Sequence, residues 1–433
     1  MMKTYDSYIE SGINWLGEIP YHWEIKRGKY VTKLLPGFAF NSDLFSSDES
    51  DMPLIRIRDI MSTSTESFYS GSYSNAYIVR KGDVLIGMDG DFNVATWNGP
   101  DGLLNQRVCK VVDVPGFSAR YAFYVLPRPL KCINDVTYST TVKHLSTFDI
   151  YREYLPVPPI DEQKAITDYL DVECKKIDNL IAKEEKRVKL IEETKLSIIT
   201  KVITKGLNPS ADLKESGIPW VGQVSSSWVR HRIKYDLTRS AAGVWGEEGK
   251  GNNDDIACYR IADYDYSRGV LDNDNPTIRN IPAKDRQGRL LKNGDLLIEK
   301  SGGGDIWPVG RVVRYNYDID AVSSNFIHSV TVDERKIDKD FLYYYFRFLY
   351  ANRVNLLYFN QTTGIQNLKV SAYLSQSLYA PEFSKQREIV EYLNKECEAY
   401  DTAIDKANHQ IDLLKEYKQS LIIEVVTGKR KVC

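Results

Sequence analysis

Gln163-Lys164-Ala165-Ile166-Thr167-Asp168-Tyr169-Leu170 recurs 223 residues later as Gln386-Arg387-Glu388-Ile389-Val390-Glu391-Tyr392-Leu393. The register continues without a gap through Glu173-Cys174 and Glu396-Cys397, Asp178 and Asp401, Lys195 and Lys418, and Val202 and Val425. A gapless match over about 40 residues marks a duplicated rigid rod, because loops accept insertions and a helix packed along its length does not. In the first copy Ile166, Leu170, Ile177, Leu180, Val188, Ile191, Ile198 and Val202 follow one another in steps built from three and four. That spacing predicts one helix with a single apolar stripe. Pro156-Val157-Pro158-Pro159 cannot continue a helix backwards, which leaves Asp161 as N-cap and Gly206 as the stop. The second copy runs from residue 384 to 427, ends at Gly428, and carries Ile389, Leu393, Tyr400, Ile411, Leu414, Leu421 and Val425 on its stripe.

At about 1.5 Å per residue each helix is roughly 65 Å long. A single rod of that length cannot bury its own stripe, and the chain supplies one partner of equal length. The two are expected to pack on one another, antiparallel if a pseudo-twofold axis relates the halves.

Working outward, Ser11-Gly12-Ile13-Asn14-Trp15-Leu16-Gly17-Glu18-Ile19 is echoed by Ser216-Gly217-Ile218-Pro219-Trp220-Val221-Gly222-Gln223-Val224, with Trp23 matched by Trp228 at the same offset of 205. Arg56-Ile57-Arg58-Asp59 parallels Arg260-Ile261-Ala262-Asp263, and Lys81-Gly82-Asp83-Val84-Leu85-Ile86 parallels Lys292-Asn293-Gly294-Asp295-Leu296-Leu297-Ile298. The offset grows from 205 to 223, so the second middle segment is 18 residues longer. Each repeat reads as a mixed α/β globular part followed by one long helix. The predicted class is α+β: two such parts separated by two long helices packed as an antiparallel coiled coil, in a pseudo-twofold internal repeat. The segments are 1–157, the first helix 158–206, 207–380, and the second helix with its tail, 381–433. A short link joins Gly206 to the Ser216 motif, while the equivalent link precedes Ser11. The Trp15/Trp23 segment is therefore expected to dock at the end of the second helix, as the Trp220/Trp228 segment docks at the end of the first.

With 433 residues, 42% hydrophobic and 27% charged, the chain has the composition of a soluble globular protein of several domains. Its 57 basic and 59 acidic residues nearly cancel, which excludes bulk electrostatic adhesion to nucleic acid and requires any such contact to come from local groups. Six scattered cysteines without a CxxC pair argue against zinc or a disulfide framework. Without an apolar leader or an apolar run of about 18 residues, no membrane role and a cytoplasmic location are expected.

Catalytic motifs are equally scarce. The five histidines are dispersed, and no GxSxG, HExxH or P-loop occurs. Ser301-Gly302-Gly303-Gly304 lacks the GK[ST] ending of a phosphate cradle, and Pro158-Pro159-Ile160 lacks both flanks of an amino-methyltransferase motif. The carboxylate pairs Asp89 with Asp91 and Asp254 with Asp255 lack the Glu-x-Lys of a nuclease. The chain is expected to be no enzyme on its own, with no catalytic or metal site.

What remains is binding. The first middle carries Arg56, Arg58, Lys81, Thr96, Trp97, Asn105, Gln106, Arg107, Thr140, Thr141 and Lys143. The second carries Arg260, Lys300, Trp307, Arg311, Asn325, Gln361, Thr362, Thr363, Gln366, Asn367 and Lys369. Arg and Lys address guanine or phosphate, Asn and Gln address adenine, and Thr meets a base or a thymine methyl.

Taken in order and in duplicate, the Ser-Gly-x-x-Trp-(Leu/Val)-Gly segments, the Gly-Asp-(Val/Leu)-Leu-Ile strands, the Thr-Thr-Gly-Ile-Gln-Asn-Leu run at 362–368, the Gln-x-x-Ile helix starts and the Val-(Ile/Val)-Thr-(Lys)-Gly helix ends resemble the DNA-specificity (S) subunit of type I restriction-modification systems. The resemblance spans the whole chain. It implies two target recognition domains, 1–157 and 207–380, each reading one half of an asymmetric bipartite site on double-stranded DNA. It implies that the helices set the spacing and dock two methyltransferase (M) subunits, through which restriction (R) subunits join. AdoMet, ATP and Mg2+ would belong to those partners, with no cofactor in this chain. The alternative is the specificity subunit of a type IIB-like system whose partner fuses methyltransferase and nuclease. One departure is Thr140-Thr141-Val142-Lys143-His144-Leu145, a residue shorter than its counterpart and without its Gly and Gln.

Overall fold

The computed structural model describes residues 4–136, 143–304, 306–362 and 365–432. It forms two compact units, Met1–Lys183 with Gln410–Cys433, and Glu184–His409. Four helices matter for the argument: α1 (Ala119–Val125), α2 (Ile160–Lys205), α3 (Lys339–Ala351) and α4 (Phe383–Val426). α2 begins one residue before Asp161, so Asp161 is not the N-cap; it sits with Glu162 in the first turn, where their charge meets the positive end of the helix dipole. Gly206 and Gly428 follow the two long helices with φ of 81° and 72°, the left-handed conformation that ends a helix without a Cβ clash.

In the first unit, Ile166, Leu170, Cys174 and Ile177 near the start of α2 share a buried cluster with Leu421, Val425 and Val426 at the end of α4. In the second unit, Ile199, Val202 and Ile203 at the end of α2 meet Ile389, Val390, Leu393 and Cys397 at the start of α4. Start against end is an antiparallel pairing. One expected stripe position fails: Leu180 is 48% exposed, and Ile181 packs on the core instead. A helix of 3.6 residues per turn drifts from a heptad, so the covered face moves on by one position. Val188, Ile191, Ile198, Tyr400 and Leu414 are half-buried, while Ile404, Ala407 and Ile411 are buried.

The repeat extends to polar contacts. Lys418 pairs with Asp178 at 2.7 Å, and Lys195 with Asp401 at 2.5 Å; these are the same two repeat positions. The first pair is exposed, whereas the Lys195 and Asp401 side chains are 6% and 19% exposed, and the Lys195 ammonium also donates to the Ser267 carbonyl at 3.0 Å. Gln163 and Gln386, which open the matched stretch, explain their own recurrence. Each is buried and accepts the backbone N–H at a helix start: Ser118 for α1 at 3.0 Å and Asp338 for α3 at 2.8 Å. Each thereby ties a globular part to a long helix and satisfies a polar group there.

The expected docking of the tryptophan segments is present within each unit. The Tyr8 hydroxyl donates to the Gly428 carbonyl at 3.1 Å, and a side chain at Gly428 would collide with Pro20. In the second unit a Cβ on Gly206 would lie 3.3 Å from the Trp228 ring.

The two globular parts share one scaffold. In the first, β1 (Lys33–Pro36), β3 (Val84–Gly87) and β5 (Val108–Val112) form an antiparallel sheet in the order Val94–Thr96, β3, β5, β1, while β2 (Met52–Ile55) and β4 (Gly102–Leu104) run parallel in a second sheet. In the second, β6 (Leu237–Ala242), β8 (Leu296–Glu299) and β10 (Ile327–Val332) repeat the order Val312–Arg314, β8, β10, β6, and β7 (Asp255–Tyr259) lies parallel to β9 (Ala321–Ser323). β3 and β8 are the continuous apolar runs, buried along their length because neighbours cover both faces. The longer second middle adds the strands Tyr264–Asp265 and Val270–Leu271 and a small sheet of Ser301–Gly302, Ile365–Leu368 and Phe359–Thr362.

Breaking the two matched ion pairs should have unequal effects. Asp401→Asn leaves the buried Lys195 charge without its carboxylate and is expected to cost roughly 3 kcal/mol, whereas Asp178→Asn costs at most about 1 kcal/mol. Denaturant titration of the two variants gives the comparison; equal losses would refute the difference in environment.

Candidate nucleic-acid interface

Two parallel neighbouring strands end at the same edge of a sheet, so the loops that leave them start side by side. β2 and β4 are such a pair: Leu54 and Ile55 register with Leu103 and Leu104, and the Asn105 N–H donates to the Ile55 carbonyl at 3.2 Å. Arg56 therefore emerges beside Asn105-Gln106-Arg107. β7 and β9 do the same, with the Ser324 N–H on the Tyr259 carbonyl at 2.8 Å and Arg260 emerging beside Ser324-Asn325-Phe326. The recurring Asp closes each first loop. Asp59 accepts the Arg56 N–H at 2.9 Å, and Asp263 accepts the Arg260 N–H at 2.6 Å.

A third segment reaches this edge from the other sheet. Gly37 follows β1 and Gly243 follows β6, and a Cβ on either would collide with the carbonyl oxygen of Asn105 or Ser324. Glycine is required by close approach here. Past it, the Phe38 N–H donates to the Leu104 carbonyl at 2.9 Å and the Val244 N–H to the Ser323 carbonyl at 2.8 Å, bringing Phe38 and Trp245 to the edge. Phe38 is 48% exposed and lies 5.1 Å from the Tyr77 ring. In the second unit Trp245, Arg260, Ile261, Ala262, Ser324, Asn325 and Phe326 line a cleft of about 420 Å³. The Arg279 guanidinium covers the Trp245 ring at 4.3 Å. Guanidinium and amide groups beside exposed aromatic surface can pair with base edges and take up a thymine methyl.

The structure brings together Arg56, Asn105, Gln106 and Arg107 in the first unit, and Arg260 and Asn325 in the second. Arg58 is exposed beside them and donates to the Ser67 hydroxyl at 3.2 Å; Asn105 is 5% exposed and serves the loop itself. Lys81, Asn367 and Lys369 are exposed, and Thr96 and Lys300 half-buried, around other loops. Three of the expected side chains are engaged within the protein. Arg311 makes a bidentate pair with buried Glu299 at 2.8 and 3.1 Å and lies 3.6 Å over the Tyr266 ring. Burial pushes the Glu299 carboxyl above its ordinary value, and the two Arg311 bonds oppose that rise. Gln366 is 2% exposed and holds the glycine loop, accepting from Val309 N–H at 3.1 Å and donating to the Gly304 carbonyl at 3.4 Å. The Lys143 ammonium is bound by Asn134, at 3.0 Å from its side-chain oxygen. Trp97 is a core residue, fully buried, while Trp307 is exposed. Thr140, Thr141 and Thr363 lie outside the described residues; of Gln361 and Thr362 only the backbone pairing, opposite Gln366 and Ile365, is described.

The shorter Thr-Thr loop is nonetheless equivalent at one point. His144 reaches Asp89 at 2.6 Å, and Asn367, its match at offset 223, accepts from Ser301 at 2.8 Å. Arg107 joins the first of these contacts at 3.4 Å from Asp89, extending the polar edge. The edges also hold Phe38, Trp245 and Phe326, which are not among the residues expected from the sequence. The available signal was Gly37-Phe38 and Gly243-Val244-Trp245, a glycine ending a strand and followed by an aromatic.

His328 on β10, two residues beyond Phe326, packs its Nε2 against the Ser240 hydroxyl at 2.7 Å. Burial, with Lys300 and Arg239 nearby, pulls its pKa down to about 4 from 6.5, so the ring is neutral near pH 7. Among the described residues no cluster of three His, Cys, Asp or Glu could hold a metal ion, and no helix is long and apolar enough to cross a membrane.

Residues 20–193 match the family model described as type I restriction modification DNA specificity domain. The type I restriction enzyme EcoBI specificity subunit of Escherichia coli is 26% identical over 99% of this chain and 90% of its own length. The MjaVIII specificity subunit of Methanocaldococcus jannaschii is 21% identical over 96% of this chain and 94% of its own. A chain from a structural study of complex assembly and conformational transition in the type I R-M system superposes with a TM-score of 0.66 at 15% identity, covering 94% of this chain and 98% of that one.

Acid should weaken the fold through His328. Because its folded pKa is depressed, the unfolded chain takes up a proton between pH 6.5 and about 4 that the folded chain refuses, and stability is lost as pH falls through that window. Unfolding midpoints at pH 7 and 5 should fall further for the native chain than for His328→Gln; identical losses would exclude the effect.

Proposed function

We infer that this chain belongs to the type I restriction-modification DNA specificity family and acts as the specificity subunit, the component that recognises DNA sequence. The observation that carries this reading is the duplicated scaffold. Each unit presents, at the ends of one parallel strand pair, an arginine beside an Asn or Gln, and these loops differ between units while the frame beneath them does not. Relatives named as type I subunits favour this over a type IIB-like system.

On this reading each unit recognises one half of a split target, with unlike edges producing an asymmetric site. The first edge offers Arg56, Gln106 and Arg107; the second offers Arg260 and Asn325 against an aromatic cleft. Arg and Asn or Gln discriminate bases bidentately in the major groove, at about 1–3 kcal/mol for each good pair. The paired helices set the half-site spacing, and B-DNA turns spacing into angular phase, with roughly 34 Å per turn. The chain performs no chemistry itself. Two methyltransferase subunits dock on its helices, restriction subunits join through them, and AdoMet, ATP and Mg2+ belong to those partners, in the cytoplasm.

Exchanging residues 207–380 for the corresponding segment of another such subunit should alter one half of the methylated site and leave the other intact. Methylation mapping reads this directly, and a change in both halves or in neither defeats the modular reading. In the native context, Arg56→Ala should relax discrimination in one half-site and Arg260→Ala in the other, each by about 1–3 kcal/mol at one base pair. Competition binding with single-base-pair variants measures it; a uniform loss across all variants would assign these arginines to phosphate instead.

A further inference from the structure

We propose that the corner after the first long-range strand of each repeat is a sequence-independent seat for the phosphodiester backbone of duplex DNA; the proposal rests on the specificity-subunit reading. In the first unit the strand Glu24–Arg27 pairs with Tyr154–Val157, placing Arg27 opposite Tyr154. Arg27 donates to the Tyr154 hydroxyl at 2.9 Å. Lys29 lies 4.6 Å from the centre of the Tyr30 ring, and Arg152 lies 4.2 Å from that of Phe148. Tyr30 is 71% exposed and Phe148 58%. Among the described residues, none of these three cations forms an ion pair.

The second unit repeats the core of this arrangement at offset 205. Arg27-Gly28-Lys29-Tyr30 becomes Arg232-Ile233-Lys234-Tyr235. Lys234 lies 4.9 Å from the centre of the Tyr235 ring, Tyr235 is 60% exposed, and Arg230, Arg232 and Lys234 are exposed without an ion pair among the described residues.

The corner cations hold no carboxylate among the described residues and so are free to meet an external anion, unlike some other exposed cations of this chain. Arg120 holds Asp168 and Asp171, Arg268 holds Asp405, and Lys418 holds Asp178. A feature kept in both repeats while the base-reading loops diverge matches a ligand feature common to every sequence, and phosphate is that feature. β1 and β6, of 4 and 6 residues, lead from the corners to the reading edges. They span on the order of 13–20 Å. That is near half a turn of B-DNA, roughly 17 Å.

The test uses the full chain in complex with its methyltransferase subunits, native and with Arg27→Gln, Lys29→Gln, Arg232→Gln and Lys234→Gln combined. Each is titrated with the mapped target duplex and a scrambled duplex across about 50–200 mM salt. The variant should lose affinity for both duplexes by the same factor, on the order of tenfold or more at low salt, and its salt slope should shrink by about 0.9 for each cation removed. The Lys29→Gln, Lys234→Gln double variant should show about half that change in slope. Unchanged slopes overturn the proposal, as does a folded variant that no longer assembles with the methyltransferase, which would make the corner a protein-docking surface. Failure of the native complex to prefer its target would instead overturn the specificity-subunit reading.

Discussion

An apolar stripe running along a helix of 46 residues has to be covered along its whole length, and only an element of the same length can do so. Everything else in the molecule accommodates that constraint. The partner is the 44-residue second copy, and antiparallel pairing places the start of each helix on the end of the other. Because each long helix begins where a globular part ends, Gln163 and Gln386 can bind the first turns of α1 and α3 while their own helices pack sideways. The tryptophan segments then close over the glycine ends. At each junction one buried amide and one left-handed glycine supplement the apolar cluster that joins globular part to helix.

The same logic explains why two middles with little sequence in common fold alike. A sheet needs an apolar central strand and neighbours that cover it; it does not need particular side chains in its edge loops. Val84-Leu85-Ile86 and Leu296-Leu297-Ile298 meet that requirement, and the parallel pairs beside them carry their loops to a common edge. Side chains at those edges can vary without disturbing the core. Near-neutral charge fits this division, because a few placed groups and not a basic surface stand at those edges.

Much of this is legible in the sequence. The rods, their ends at Gly206 and Gly428, their mutual packing and the repeated Gly-Asp strands follow from periodicity and self-similarity, which are local properties. The individual contacts were less legible. Arg311, Gln366 and Lys143 have the composition of a DNA-reading residue, yet each serves a neighbour: a buried glutamate, a glycine loop and the end of a helix. A polar residue type does not reveal whether its partner lies outside the protein or within it.

The sequence by itself determined the duplicated helix-and-reader plan and the family it resembles, because stripe spacing and glycine punctuation are written in consecutive residues. Tertiary structure alone decided which arginines and amides stand together. Arg56 and Gln106 are 50 residues apart, and Trp245 and Phe326 are 81 apart. They meet because parallel strands end at one edge and a glycine admits a third segment beside them, a register set by hydrogen bonds between distant strands.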